Sequence, residues 1–276
     1  MFASVGAQGK ESRKLEAGDS AATDVILEAD DLLSVRAALV PAMAGQQLDW
    51  CLQPLEGRRK RLLIADMDST IINVECLDEI ADYAGLKAEI SAITERAMRG
   101  ELPFEAALRE RVAMLKGLPV AVLAQAYDER VRLNPGARTL VKTMAANGAR
   151  CVLVSGGFNY FTARVAAEAG FHAERANWMQ SEAGKLTGAV GEPILGREAK
   201  VRALEEEALS IGAPLSAALA VGDGANDLGM IDAAGLGVAY RAKPIVAAAA
   251  DARIDHTDLT ALLYFQGYAR SDFVTD

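Results

Sequence analysis

Cysteine and histidine are scarce in this sequence, and long apolar runs are missing. The three cysteines, Cys51, Cys76 and Cys151, do not stand in C-x-x-C spacing, which argues against a disulfide scaffold or a zinc knuckle. The two histidines, His172 and His256, lie far apart and outside any H-E-x-x-H context, so we interpret both as structural or surface residues. No stretch approaches about 18 uninterrupted apolar residues, which predicts that the chain has no membrane-spanning helix.

A surplus of basic residues is also missing. The chain has 29 Lys and Arg against 38 Asp and Glu, which gives a net charge of −9. Because nucleic-acid-binding proteins usually present a basic face, this balance argues against nucleic acid as a partner. The first 24 residues lack the apolar segment of a secretory signal. We therefore expect a cytoplasmic protein with no nucleic-acid and no membrane partner, whose oligomeric state the sequence does not determine.

Short apolar runs alternate with helix-like segments from residue 61 onward. The runs Leu62–Asp66, Cys151–Ser155 and Ser216–Gly222 are typical of buried parallel strands, and the segments LGVAY and ARID add two more. Helical patterns lie between them, and a hairpin is predicted within residues 171–195. Buried strands that alternate with helices predict an α/β fold with a doubly wound, Rossmann-like parallel sheet.

Residues 75–130 interrupt this alternation, because they are helix-like almost throughout. One predicted helix places Phe104, Leu108, Val112 and Leu115 on a single face. Since the block follows the first strand directly, it predicts a helical cap over the end of that strand. We therefore divide the chain into a core of residues 61–74 and 131–276, a cap of residues 75–130, and an N-terminal appendage of uncertain structure in residues 1–60.

The appendage itself carries weaker patterns. Residues 1–24 are polar and small, which predicts a disordered or loosely attached segment. Apolar residues at helical spacing predict a helix around residues 32–43, and the LDWCLQ segment resembles a short strand. The basic run Arg58–Arg61 is either a contact with an anion or a solvated entry to the first strand, and we favour the second interpretation.

Polar residues that can carry chemistry follow three of the predicted strands. The segments are Asp66–Thr70, Ser155–Gly157 and Gly222–Asp227, and Lys200 lies near the start of a helix between the last two. Each piece alone is unspecific, since D-x-D and Gly-Asp-Gly are usually turns and a single lysine is usually solvated. Together they are more informative, because ligands of such sheets bind where the strands end.

Asp66 and Asp68 can point to the same side of the chain, where two carboxylates repel one another. A cation between them or a proton on one of them would relieve the repulsion. Mg²⁺ takes oxygen ligands, and Asp66 and Asp223 could supply two carboxylates from neighbouring strand ends. Asp68 could then be protonated and serve as a general acid, if its pKa rises from the usual value of about 3.9.

The motifs resemble those of the haloacid dehalogenase (HAD) superfamily of phosphohydrolases over about residues 61–260. DMDST matches its first motif, Ser155 the second, Lys200 the third and GDGANDLGM the fourth. The stretches DMDSTIINVECLDEIA and AMRGELPFEAALRERVAML are similar to the phosphoserine phosphatase branch. The resemblance implies hydrolysis of O-phospho-L-serine to L-serine and phosphate through an aspartyl-phosphate, as the last step of serine biosynthesis.

The resemblance also implies a role for each matching residue. Asp66 is the nucleophile and Asp68 the general acid and base. Mg²⁺ is held by Asp66, Asp223 and the backbone carbonyl of Asp68, with Asp227 in support. The phosphoryl group is held by Ser155, Gly156, Lys200 and Asn226. The amino-acid part of the substrate is bound by Glu75 on its ammonium and Arg111 on its carboxylate, while Met98 and Phe104 exclude water.

Three other functions compete with this one. A related HAD phosphatase or phosphotransferase, for example one that passes phosphate to homoserine, would keep the same core motifs. A non-catalytic sensor of phosphorylated ligands is a different class, but binding alone needs no acid two residues beyond a nucleophile. The sequence contains no G-x-x-x-x-G-K-[ST], which excludes a P-loop nucleotide-binding protein.

Overall fold

The computed structural model describes residues 7–16, 21–98 and 101–275, with Met98 described by its backbone alone. The strands, in chain order, are β1 (Gln8–Glu16), β2 (Ala22–Glu28), β3 (Leu62–Ala65), β4 (Arg150–Phe158), β5 (Ala173–Asn177), β6 (Met179–Glu182), β7 (Lys185–Val190), β8 (Ala218–Gly222), β9 (Leu236–Tyr240) and β10 (Ala252–Ile254). The helices are α1 (Leu32–Met43), α2 (Cys76–Tyr83), α3 (Lys87–Met98), α4 (Phe104–Met114), α5 (Ala121–Arg130), α6 (Ala137–Ala146), α7 (Asn159–Ala169), α8 (Arg197–Ser210), α9 (Leu228–Ala233), α10 (Pro244–Ala249) and α11 (Ala261–Phe265).

A six-stranded parallel sheet in the order β10-β9-β8-β3-β4-β5 forms the centre of the molecule. The chain builds β3, β4 and β5 outward in one direction and then returns to the other side of β3 with β8. The direction of winding therefore changes between β3 and β8, which is where ligands of open α/β sheets bind. This arrangement confirms the predicted doubly wound parallel sheet.

Helices cover both faces of the sheet, because side chains along each strand point alternately to opposite sides. On one face, Leu63 and Ala65 of β3 pack in a core that includes buried residues of α6 and α7. On the other face, Leu62 and Ile64 pack in a core that includes buried residues of α8 and α9. All four of these β3 side chains are fully buried, which explains why the strand has no polar position before Asp66.

The cap helices α2 to α5 are inserted between β3 and β4, as the helical pattern of residues 75–130 predicts. The two connections between core and cap lie side by side and form an antiparallel bridge between Ile72 and Leu133. The Asn134 side chain donates to the carbonyls of Thr70 (2.8 Å) and Ile72 (2.9 Å), which ties the two connections together. The exact domain limits 61–74 with 131–276, 75–130 and 1–60 stay predictions.

A second contact joins the cap to the β6–β7 hairpin, which confirms the hairpin predicted within residues 171–195. The loop between α4 and α5 pairs with this hairpin through a bridge between Pro119 and Lys185. The backbone amide of Gly117 donates to Leu186 at 2.8 Å, and that of Leu186 donates to Leu118 at 2.9 Å. The cap therefore contacts the rest of the molecule at this hairpin as well as at its two chain connections.

Two predictions for the appendage are wrong. Residues 8–16 and 22–28, expected in part to be disordered, form the antiparallel hairpin β1–β2. The hairpin packs on α1, whose Val35 and Leu39 share a small core with Ala7 and Leu27. The LDWCLQ segment is not a strand; its Trp50 and Leu52 pack against the same small core. Residues 1–6 and 17–20, also expected to be disordered, lie outside the described residues.

The basic run before β3 is only partly solvated. Arg58 pairs with Asp24 of β2 at 2.7 Å, which attaches the hairpin to the core. Lys60 is buried, and its ammonium donates to the carbonyls of Ser216 (3.0 Å) and Gly235 (3.3 Å). Arg59 and Arg61 are exposed, as the favoured interpretation expects. Within the described ranges, we find no helix with the length and apolarity needed to cross a bilayer.

Candidate active site

The ends of the two central strands meet at the point where the winding direction changes. Asp66 directly follows β3, and its backbone amide donates to the carbonyl of Val221 in β8 at 3.0 Å. Asp223 directly follows β8. Since β3 and β8 are parallel neighbours, the two acidic residues emerge at the same edge of the sheet. The structure therefore brings together the first and fourth motifs of the sequence.

Three carboxylates form a tight cluster at this edge. Asp66, Asp223 and Asp227 each offer an oxygen, and these oxygens all lie within 4.8 Å of one another. The Lys200 ammonium lies 2.5 Å from Asp66 Oδ1 and 2.5 Å from Asp227 Oδ1. Lys200 is only 1% exposed, so this side chain stands almost completely inside the protein. Three acids facing one buried cation leave an excess of negative charge.

This excess has a direct effect on protonation. Burial and the nearby Asp227 raise the pKa of Asp66 well above its ordinary value. Burial, with Asp227 and Glu75, raises the pKa of Asp223 to about 7. Burial alone would lower the pKa of Lys200, but the carboxylates of Asp227 and Asp66 reverse this and raise it, so the ammonium stays charged. A bound cation would relieve the same repulsion, and an all-oxygen donor set fits a hard divalent ion such as Mg²⁺.

Asp68 stands apart from the cluster. Its Oδ1 accepts a hydrogen bond from the Cys76 amide at 3.1 Å, at the start of α2. Burial and the nearby Glu75 raise the pKa of Asp68 to about 7, which is the upward shift that a general acid needs. A methyl group in place of a Gly157 hydrogen would lie 2.8 Å from Asp68 Oδ2, so this carboxyl group faces the second motif.

The second and fourth motifs form a polar rim around the cluster. The Ser155 hydroxyl accepts from the Gly157 amide at 2.9 Å, and the carbonyl of Gly156 accepts from Asn177 at 2.8 Å. Asp227 Oδ2 accepts from the Gly224 amide at 3.0 Å. The Asn226 side chain lies against Gly224: a methyl group on Gly224 would stand 2.4 Å from Asn226 Oδ1. These hydrogen bonds hold the loop after β8 and the Ser155–Gly157 segment in fixed conformations.

The cap places an aromatic ring over this rim. A methyl group on Gly156 would lie 3.2 Å from Phe104 Cζ, and one on Gly196 would lie 3.5 Å from Phe104 Cδ1. Phe104, the first residue of α4, therefore lies close to the backbone of Gly156 and Gly196. A side chain at Gly156 would require the Phe104 ring to shift. The side chain of Met98, also predicted to cover the site, lies outside the described atoms.

The two charged residues predicted to bind the substrate both lie on the cap side. Glu75 precedes α2 and is exposed, and its Oε1 accepts from the Ser69 hydroxyl at 2.6 Å. Arg111 of α4 is half-buried and donates to the Ala107 carbonyl and the Thr94 hydroxyl, each at 3.2 Å. Burial lowers the pKa of Arg111, and the carboxylates of Asp78 and Glu75 oppose that shift. Arg111 therefore lies within electrostatic reach of Glu75.

Several further residues shape the site. The hydroxyl of Thr70, the last residue of the DMDST motif, donates to Asp223 Oδ1 at 3.3 Å. The Asn177 side chain also bonds both backbone groups of Leu195, accepting at 2.6 Å and donating at 3.2 Å. Ser69 and Thr94 contact Glu75 and Arg111. Such contacts depend on tertiary structure, and a single sequence does not reveal them.

Comparison with known proteins identifies the family. The model of the haloacid dehalogenase-like hydrolases matches residues 63–232, more than half of the chain. A phosphoserine phosphatase of Archaeoglobus fulgidus is 43% identical over 234 residues, which cover 84% of this chain and 68% of that protein. One from Polaromonas sp. is 48% identical over 208 residues, covering 74% of this chain and 88% of its own. The chain belongs to the haloacid dehalogenase-like hydrolases.

Solved structures agree with this assignment. An HAD family hydrolase of Salmonella enterica serovar Typhi superimposes with a TM-score of 0.84 at 32% identity, covering 94% of this chain and 89% of its own. A substrate-bound phosphoserine phosphatase complex superimposes with a TM-score of 0.70 at 39% identity, covering 75% of this chain and 98% of that one. The first of these comparisons extends over nearly all of the chain, and the second over three quarters of it.

Proposed function

We propose that this chain is a Mg²⁺-dependent phosphoserine phosphatase, which hydrolyses O-phospho-L-serine to L-serine and phosphate through an aspartyl-phosphate on Asp66. The observation that carries the proposal is the buried Asp66–Lys200–Asp227 arrangement at the sheet edge, with Glu75 and Arg111 above it on the cap. The two curated relatives described above, both phosphoserine phosphatases, support the choice of substrate.

Asp66 acts as the nucleophile in this mechanism. Lys200 holds Asp66 Oδ1 at 2.5 Å, which leaves Oδ2 to attack phosphorus. The P–O bond to serine breaks as the new bond forms, which gives a mixed anhydride and splits the hydrolysis into two easier steps. Water then attacks this phosphorus, and the Asp66 carboxylate is released unchanged.

Asp68 moves the protons in both steps. Because its pKa is raised to about 7, Asp68 is protonated in a substantial fraction of the molecules near neutral pH. It gives this proton to the departing serine oxygen, so the leaving group is a neutral hydroxyl. The resulting carboxylate then accepts a proton from the water that attacks the phosphorylated Asp66. One residue thus serves as acid and then as base.

The phosphoryl group is held between the strand ends. The Ser155 hydroxyl, the Gly156 amide, the Lys200 ammonium and the Asn226 side chain surround the place where its oxygens lie. Asp66, Asp223, Asp227 and the backbone carbonyl of Asp68 would hold Mg²⁺. When bound, the ion screens the repulsion between the Asp66 carboxylate and the phosphate and stabilises charge in the transition state.

The cap selects the substrate by its amino-acid end. The carboxylate of Glu75 binds the ammonium of phosphoserine, and the planar guanidinium of Arg111 binds its carboxylate. Phe104, together with Met98, keeps bulk water from the reacting groups. We place the enzyme in the cytoplasm at the last step of serine biosynthesis, and three free thiols agree with a reducing compartment.

The test is phosphate release from O-phospho-L-serine and from a panel of other phosphomonoesters, with Mg²⁺ and with EDTA. We expect a strong, Mg²⁺-dependent preference for phosphoserine. Asp66→Asn should lower kcat by at least about 10⁴-fold, the scale of loss when a nucleophile is removed. Asp232→Asn, an exposed position on α9, is the matched control and should keep full activity.

Other outcomes would select the competing functions. Equal hydrolysis of all esters would keep the Asp66 chemistry and remove the substrate assignment. Phosphate that leaves phosphoserine only when an acceptor alcohol is present would indicate a phosphotransferase. Binding of phosphoserine without any turnover would indicate a sensor, and near-normal turnover by Asp66→Asn would exclude Asp66 as the nucleophile.

A further inference from the structure

Ser69 has a backbone conformation that serine rarely adopts. Its φ of 57° lies in the left-handed region, where a side chain crowds the following carbonyl oxygen. Its amide donates to the Val74 carbonyl at 3.2 Å, which closes the loop that leads into the cap. Strained residues of this kind cluster at functional sites, because the surrounding structure must hold them in place.

The strained turn brings the Ser69 hydroxyl to the carboxylate of Glu75. The hydroxyl donates to Glu75 Oε1 at 2.6 Å, and Glu75 is otherwise exposed. An exposed glutamate normally samples several rotamers, and fixing it has an entropic cost. This contact involves only Oε1 of the carboxylate, so the second oxygen is not used by Ser69. The loop before the cap thus orients the carboxylate before any ligand arrives.

Thr94 makes a comparable contact with the positively charged residue of the pair, Arg111. Its hydroxyl donates to the Ile90 carbonyl at 3.0 Å, so the oxygen lone pairs are left to accept from Arg111 Nη1 at 3.2 Å. Arg111 Nε is occupied by the Ala107 carbonyl at 3.2 Å. With Nε and Nη1 both held by the cap, the plane of the guanidinium is set.

We propose that Ser69 and Thr94 are positioning residues for substrate specificity: Ser69 presets Glu75 for an ammonium group, and Thr94 presets Arg111 for a carboxylate. Among the described residues, the partners of these two hydroxyls are Glu75 for Ser69 and the Ile90 carbonyl and Arg111 for Thr94. This inference rests on the proposed function, since it assigns Glu75 and Arg111 to the two ends of an amino-acid substrate. It adds that each charged residue depends on one hydroxyl of its own.

Three phosphomonoesters separate the two contacts. O-phospho-L-serine has both groups, O-phosphoethanolamine keeps the ammonium without the carboxylate, and 3-phosphoglycerate keeps the carboxylate with a hydroxyl in place of the ammonium. The kcat and KM values for all three are measured with the wild-type enzyme in Mg²⁺ and with each variant. Ser210→Ala, at the far end of α8, is the control for loss of a serine hydroxyl.

Ser69→Ala should raise KM about tenfold for phosphoserine and for phosphoethanolamine, as expected when a hydrogen bond to a charged group is lost. It should leave kcat and the values for 3-phosphoglycerate unchanged. Ser69→Gly removes the hydroxyl while relieving the left-handed backbone, so it guards against a folding defect and should repeat the pattern.

Thr94→Val should give the opposite pattern, with KM raised about tenfold for phosphoserine and 3-phosphoglycerate and unchanged for phosphoethanolamine. Thr94→Ser keeps the hydroxyl and should restore wild-type values. Equal losses on all three substrates would overturn the inference while leaving the proposed function in place. A wild-type enzyme with no preference for phosphoserine would overturn both.

Discussion

The two ends of the candidate site are built in different ways. At the sheet end, Asp66, Asp227 and Lys200 are almost fully buried and are joined by two contacts of 2.5 Å. At the cap end, Glu75 is exposed and Arg111 half-buried; the Ser69 hydroxyl contacts Glu75, and Arg111 donates to the Thr94 hydroxyl and the Ala107 carbonyl. The sheet end is therefore part of the core of the protein, whereas the cap end is attached to its surface.

This difference separates the residues that carry out the reaction from the residues that select the substrate. Charges that are buried together depend on one another, since the removal of one partner leaves the others uncompensated in a medium of low polarity. Charges at a partly open surface interact weakly and are screened by solvent. Changes at the sheet end should therefore damage both folding and catalysis, while changes at the cap end should alter which substrate is used.

The largest effect is expected from Lys200→Met. This substitution keeps the length of the side chain but leaves Asp66 and Asp227 buried without their cation. The free energy of unfolding, measured by urea denaturation in EDTA near pH 8, should fall by about 3–5 kcal/mol. Turnover of phosphoserine should be lost as well, because the phosphoryl group loses its ammonium partner.

Arg202→Met on the same helix is the matched control. Arg202 is exposed and pairs with Glu198 across one helical turn, so its loss should change the free energy of unfolding by less than about 0.5 kcal/mol. Equal stability of both variants would show that the buried Lys200 contributes no more to the free energy of unfolding than the exposed Arg202. The contrast between the two ends of the site would then be wrong.

The next effect is expected from Arg111→Ala. Loss of the guanidinium should raise KM for phosphoserine about 100-fold and change KM for an aryl phosphate little, because the latter has no carboxylate to bind. The melting temperature should stay close to that of the wild type. Arg109→Ala on the same helix removes an exposed arginine that pairs with Glu192, and its KM for phosphoserine should not change.

Similar losses on both esters would mean that Arg111 does not bind the substrate carboxylate. A large drop in melting temperature for Arg111→Ala would mean that the cap end is as structural as the sheet end. Either result would contradict the separation of chemistry from selection.

The same contrast explains what the sequence could predict. Asp66 and Asp223 follow uninterrupted apolar strands, so the pattern alone places them at one edge of a parallel sheet. Lys200, near the start of a helix, carries no such signal, and only the resemblance to a known family assigns it to the site. Its burial between two acids is a tertiary fact.

The sequence was least informative where structure depends on a few distant contacts. β1 is polar at nearly every position. It is a strand because its backbone pairs with β2 and the hairpin packs on the small core of α1. Ser69 adopts a left-handed backbone that favours glycine, so no propensity predicts it. Asn177 ties Gly156 to Leu195 across 18 to 21 positions of the chain. Local pattern does not encode contacts of this kind.

The last prediction concerns pH and metal ions. Asp68 and Asp223 have pKa values raised to about 7 in the folded protein, against 3.8 for an ordinary aspartate. Between these values the folded state holds protons that the unfolded state has released. Without metal, the free energy of unfolding should therefore fall as the pH rises from about 4 through about 7.

Magnesium should reverse part of this loss, since Asp223 would be one of its ligands and the ion competes with protons for that carboxylate. The increase in melting temperature caused by Mg²⁺ should thus be larger near pH 8 than near pH 6. Asp223→Asn should reduce the increase at both pH values, and Asp232→Asn, exposed on α9, should not. An increase that is equal at the two pH values would mean that these acids are already ionised in the metal-free protein. The buried cluster would then carry its excess negative charge without a bound proton. In that case Lys200, which contacts only Asp66 and Asp227 among these acids, would have to stabilise the charge of the whole cluster.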